Sequence, residues 1–133
     1  MQSIKIKLIL LGCCTFLFVS CMATSVIDTE SEIAKSEILR RIDNLCNDLP
    51  KPRDFVFVSK SLSGNGFTVS VSYDYRTSMS LENVEKFYTD NLLALEWRIG
   101  NSGRFEKDHF QVSISPVQYP GAKYSLYCAE VHQ

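Results

Sequence analysis

The sequence is short of the residues on which catalysis, metal binding and nucleic-acid recognition depend. Histidine occurs twice, as His109 and His132. His109 follows Asp108, a pair that could move a proton or hold a metal. Neighbouring strand residues, however, point to opposite faces, and residues in a turn are solvated. No serine stands in a GxSxG context, and no glycine run has the spacing of a phosphate-binding loop. The carboxylates Glu82, Glu85, Asp90, Glu106, Asp108 and Glu130 are scattered, without a pairing suited to acid–base work. In Tyr73-Asp74-Tyr75-Arg76, the densest polar-aromatic cluster, strand alternation sets Asp74 opposite its tyrosines. A surplus of positive charge is also lacking: 14 Lys and Arg meet 15 Asp and Glu, so nothing favours a nucleic acid. These gaps lead us to expect no catalytic residue, no cofactor, no metal and no nucleic-acid partner.

Long hydrophobic runs are missing too, with one short exception. Leu8 to Val19 reads LILLGCCTFLFV, about a dozen uncharged residues behind Lys5 and Lys7. That length suits the apolar stretch of a signal peptide and falls short of the ~20 residues that cross a bilayer. Apolar residues go all the way round, unlike the single stripe of a core helix. The run ends in Phe18-Val19-Ser20-Cys21. This resembles the lipobox of bacterial lipoproteins, departing from it at Phe18, where leucine is usual. The resemblance implies cleavage after Ser20 and acylation of Cys21 as the new N-terminus. Leu10-Leu11-Gly12-Cys13 fits the box locally but leaves about five apolar residues ahead of it. Ordinary signal cleavage after Ala23 is a third option and would release a soluble secreted or periplasmic protein. With Met22, not Asp, after Cys21, the resemblance favours the outer membrane, facing the periplasm.

Removing residues 1–20 takes two lysines and no acid, leaving a net charge near −3. Residues 21–29 then read as a flexible tether and 30–133 as one domain with a modest core. Of five cysteines, Cys46 and Cys128 remain in that domain. In a compartment that permits disulfides they form a bridge closing a loop of about 82 residues, or else two buried apolar thiols. Two cysteines without a CxxC or a nearby histidine make a poor zinc site.

Ile38, Ile42, Leu45 and Leu49 form one apolar stripe, which predicts a helix over 30–49, stopped by Pro50 and Pro52. Phe55 to Val58 reads as a short strand, SLSGNG from Ser61 to Gly66 as a turn-forming loop, and Phe67 to Tyr75 as a strand alternating apolar with polar. Its Ser/Thr side is a solvated face, or else a surface for a glycan or peptide. Ser80 is placed to cap a second helix, Leu81–Leu95, whose stripe comprises Leu81, Val84, Phe87, Tyr88, Leu92 and Leu95. Trp97 follows as an anchor, Gly100–Gly103 as a turn, then strands from Arg104, from His109 to Ser115 and from Ala122 to Val131.

The expected fold is therefore α+β: a single antiparallel β-sheet packed against two helices, in the order α-β-β-α-β-β-β. That order, with Tyr73 or Tyr75, then Phe87-Tyr88, then Trp97, resembles small domains of envelope lipoproteins and implies no particular activity. The expectation is a lipid-anchored envelope protein with a non-catalytic binding or structural role. It would touch the membrane through acyl chains on Cys21 and dock a protein partner in the envelope. Immunity to an exported toxin and a small periplasmic enzyme are the alternatives.

Overall fold

The structure, a computed structural model, describes residue 32 and residues 34–65 and 68–131. The signal-like segment 1–20, with Cys13 and Cys14, lies outside the described residues. So do Cys21, the cleavage point at Ala23, the tether 22–29, Glu30, Gly66, Phe67 and His132. One compact unit runs from Glu37 to Gln133. In chain order the elements are helix α1 (34–48), strands β1 (Val56–Asn65) and β2 (Thr68–Arg76), and helix α2 (Leu81–Ala94). Strands β3 (Arg98–Ile99), β4 (Phe105–Lys107), β5 (Phe110–Pro116) and β6 (Tyr124–Val131) follow.

Among the described residues the fold is α+β, with one antiparallel sheet and two helices. The order departs from expectation by one element, since four strands follow α2. The extra strand is β3, two residues long, paired through Arg98↔Glu106 and Ile99↔Phe105. So short an edge strand leaves no periodic signal in the sequence. The six strands lie in the order β1-β2-β6-β5-β4-β3. After β2 the chain crosses the sheet through α2 to the far edge, then fills back by hairpins until β6 closes against β2. Successive reversals leave β2 and β3 running the same way, which a tight turn cannot connect and a helix can.

β1 corrects a second expectation. Its pairing with β2 continues past Val58, after a bulge between Phe57 and Ser59, through Leu62↔Val71 and Gly64↔Val69 to Asn65↔Thr68. Ser61–Asn65 is therefore strand and not loop, and only residues 66 and 67 separate the paired ends. Turn-favouring residues remain extended here because β2, rich in Val and Tyr, supplies a complete ladder for them.

Both helices pack on the face formed by Val69, Val71, Tyr73 and Tyr75 of β2 with Tyr124, Leu126 and Cys128 of β6. From α1, Ile42 and Cys46 are fully buried, with Leu49 just beyond its end. Three ties hold α1 to the sheet. Cys46 and Cys128 form a disulfide, with Cα atoms 6.0 Å apart. Arg41 Nη2 donates to both oxygens of buried Glu130, at 2.9 and 3.1 Å. The Asp43 carboxylate receives Lys60 Nζ at 2.7 Å and the Tyr73 hydroxyl. Burial pushes Asp43 up, but the bonds from Lys60 and Tyr73 more than offset it and hold its carboxyl below the ordinary range.

In α2 the Ser80 hydroxyl accepts from Asn83 N at 3.3 Å, the expected N-cap. The buried stripe is narrower than the sequence predicts: Val84, Tyr88 and Leu92 are buried, whereas Leu81 and Leu95 at the two ends are 38% and 48% exposed. The helix finishes in a Schellman motif. Trp97 N donates to Leu92 O at 3.0 Å and Glu96 N to Leu93 O at 3.1 Å, with Glu96 at φ 66°. Trp97, buried, stands at the position where this motif makes its apolar contact with the last turn.

Two stability effects follow. Replacing Cys46 and Cys128 together by alanine lowers unfolding free energy by about 3–4 kcal/mol, because the 82-residue loop is no longer closed in the unfolded chain. A urea titration reads this as a lower midpoint. Glu96→Gly raises the midpoint by the equivalent of about 1 kcal/mol, since glycine takes the left-handed backbone without steric cost.

Candidate binding face

An antiparallel strand sends alternate side chains to opposite faces, so the residues opposite the core are fixed by the same register. They form the face of the sheet on which neither helix packs. Three rows cross it. The first runs Ser63, Ser70, Ala129, Gln111, Glu106, Arg98, one residue from each strand. The second is Ser61, Ser72, Tyr127, Ser113, and the third Ser59, Asp74, Ser125, Ser115. Every serine of the six strands lies in these rows, and none points to the core. Hydroxyls thus stand about 4.8 Å apart across strands and ~6.8 Å apart along them. A solvated sheet face is usually dressed with threonine and long charged side chains. This one is short, flat and uncharged over most of its extent.

Away from Glu106 and Arg98, Asp74 is the exception, and it is 8% exposed. Ser59 Oγ donates to Asp74 Oδ2 at 2.7 Å and lies 3.1 Å from the Tyr119 hydroxyl. Burial pushes the Asp74 carboxyl up, but hydrogen bonds from Tyr119, Ser59 and Ser125 outweigh it and hold the group below its ordinary value. The same contact with Asp74 raises the Tyr119 phenol. The carboxylate is held by hydroxyls rather than by a cation. Tyr119 comes from the β5–β6 connection, which turns through Gly121 at φ 93° and is tied back by Lys123 N to Tyr75 O at 2.8 Å.

Charges collect at the opposite end. The Arg104 guanidinium lies 5.9 Å from the centroid of the Tyr127 ring and donates to Gln111 Oε1 at 3.3 Å. Gln111 Nε2 approaches Glu106 at 3.5 Å, and Arg98 Nε is 3.9 Å from the same carboxylate. The Glu106 carboxylate rests against Gly100, where a β-carbon would overlap it. Two open depressions meet at Arg98 and Glu106. One, of 130 Å³, reaches Asp108, His109 and Gln111; the other, of 460 Å³, reaches the turn at Gly100, Asn101 and Ser102. Asp108 and His109 form the two-residue turn between β4 and β5, both exposed, with Asp108 at φ 52°.

Cys46 and Cys128 belong to the core behind the face and take no part in it. Among the described residues, no three His, Cys, Asp or Glu side chains gather as a metal site, and no helix is long and apolar enough to cross a membrane. Tyr73 and Tyr75 lie on the helix side and Asp74 on the other, as the alternation requires. The partners of Asp74 were not legible. Ser59 and Ser125 reach it through two strand registers, and Tyr119 through a loop with no periodic pattern.

Losing the Tyr119 hydroxyl should be visible in acid. A carboxylate with a depressed folded pKa contributes stability above its unfolded value, about 3.9, and loses it as pH falls through the folded value. Tyr119→Phe removes one donor, so the Asp74 pKa rises toward the ordinary value and its stabilising contribution shrinks. A carboxyl-detected NMR titration over about pH 2–6 reads the shift directly. An unmoved Asp74 would mean that Tyr119 does not hold it.

Compared with known proteins, the chain matches no family model, no curated protein and no solved structure.

Proposed function

We propose that the protein is a lipid-anchored component of a bacterial envelope whose role is binding rather than catalysis, and that the sheet face opposite α1 and α2 is its binding surface. The lipobox-like Phe18-Val19-Ser20-Cys21 supplies the anchor, with residues 21–29 as tether and the outer membrane, on its periplasmic side, as the location. The observation that carries the binding reading is the serine face. All the strand serines sit on one side of one sheet, around Tyr127 and Asp74, opposite the face that α1 and α2 cover. The buried disulfide supports export, because such bonds persist in oxidising compartments.

Binding is favoured over chemistry by the direction in which Asp74 is perturbed. A catalytic acid or base works best with its pKa moved toward the operating pH. Hydroxyl donors move Asp74 the other way and keep it ionised. Immunity to an exported toxin would be a special case of the same reading, with a protein on the face.

The anchor is tested by the intact mass of the full chain expressed in a bacterium and recovered from the membrane fraction. A mature chain starting at Cys21 with added acyl mass is expected. A chain starting at Thr24 without acyl mass would remove the anchor and leave a soluble exported domain. Cys21→Ser, which cannot be acylated, shifts the protein out of the membrane fraction.

A further inference from the structure

We infer that the sheet face opposite α1 and α2 is a site for a neutral glycan, bound flat across β2, β6 and β5 with Tyr127 as its stacking platform. The inference rests on the reading of that face as the binding surface and names its ligand class. Three properties converge on a polyhydroxyl ligand.

The first is charge. In the rows of Ser61 and Ser59 the only ionised strand side chain is Asp74, which its hydroxyl neighbours already occupy. A basic polymer would find no free opposite charge there and an acidic one only Arg104, at the Tyr127 end of the row, and desolvating the remaining charges of either without a partner is costly. An uncharged partner bears no such cost.

The second is hydrogen-bonding capacity at short range. A serine hydroxyl both donates and accepts, and it rotates to suit. Ser72 and Ser113 flank Tyr127 on either side in one row, and Ser61 extends that row to the sheet edge. Gln111, one row away, has its amide engaged by Arg104 and Glu106 and borders the site. Ligand hydroxyls, likewise donor and acceptor, can be matched in either sense. Ser61 is exposed and Ser72 and Ser113 are half-buried, whereas Ser70, Ser125 and Ala129 are buried, so the row through Tyr127 is the one a ligand reaches.

The third is the aromatic. Tyr127 is half-buried at the centre of the grid, and the Arg104 guanidinium lies over one side of its ring, 5.9 Å from the centroid. A pyranose ring has an apolar C–H face that packs on an aromatic ring while its equatorial hydroxyls radiate to polar neighbours. The mixed lining of one aromatic and many small polar groups is what such an amphipathic ring requires. A flat apolar protein surface would instead need several large side chains here, and Tyr127 stands among serines.

The test uses the full chain in detergent, ¹⁵N-labelled, titrated with neutral tetrasaccharides of β-1,4-linked N-acetylglucosamine, β-1,4-linked glucose and α-1,4-linked glucose, and co-sedimented with isolated peptidoglycan sacculi. With at least one of these glycans, the amides of Ser72, Ser113 and Tyr127 are expected to shift, with those of α2 unmoved. Tyr127→Ala and Ser72→Lys should each weaken binding by about tenfold or more. Leu93→Lys, on the exposed side of α2, should leave it unchanged. Amide spectra of each variant show whether the fold is retained. No shift on this face with any tetrasaccharide at about 10 mM, together with no sedimentation, would overturn the inference. So would equal binding by Ser72→Lys and Tyr127→Ala, or binding confined to acidic polysaccharide. A photo-crosslinker at Ser113 that captures a protein while no glycan binds would remove the glycan and leave the binding face standing.

Discussion

The antiparallel register between β2 and β6 is the constraint from which the rest follows. It puts Val71 beside Cys128, which brings Cys128 under α1 and within reach of Cys46. It also puts Asp74 beside Ser125 and Ser72 beside Tyr127 on the other side. A slip of one residue would turn every one of these side chains to the wrong face. The core side resists such a slip through packing, since Val71, Leu126 and Cys128 are all fully buried. The disulfide adds a covalent stop. The organisation of the serine face is thus enforced from behind, by residues that never touch it.

How α1 is held shows the same division of labour between apolar and polar contacts. Ile42 and Cys46 supply burial, while Arg41 and Asp43, two residues apart, reach out to Glu130 and to the Lys60–Tyr73 pair. Glu130 is a buried carboxylate at the end of a central strand, a costly arrangement without a charged or hydrogen-bonding partner. Arg41 meets that need and in doing so fixes where the helix sits along the sheet. Tyr88 is the opposite case. Its ring fills the core from α2, but its hydroxyl finds no partner among the described residues, and burial pushes its pKa well up. Packing of the ring outweighs the loss.

Much of this architecture was legible in the sequence. The 3.6-residue stripe of Ile38, Ile42 and Leu45, the period of two through Val69, Val71, Tyr73 and Tyr75, and the cap at Ser80 each report a local preference that the fold keeps. Three features were not legible, and each depends on distant residues. Ser61–Asn65 is turn-like by composition and becomes strand because β2 completes its ladder. Leu81 and Leu95 belong to the stripe by spacing, yet both stay exposed at the ends of α2. The serine face is invisible one strand at a time: Ser59, Ser61 and Ser63 in β1 and Ser113 and Ser115 in β5 become one surface only through β2 and β6.

The disulfide has a consequence for how load passes through the chain. Tension applied ahead of α1 and resisted beyond β6 has a covalent shortcut, from Cys46 across to Cys128 and on toward Val131. Everything between residues 46 and 128 hangs from that shortcut as a slack loop. All the strand serines, Asp74, Tyr119 and Tyr127 lie within it. The backbone that presents them therefore carries no pull between the chain's ends, and the face keeps its shape while its attachments are under strain.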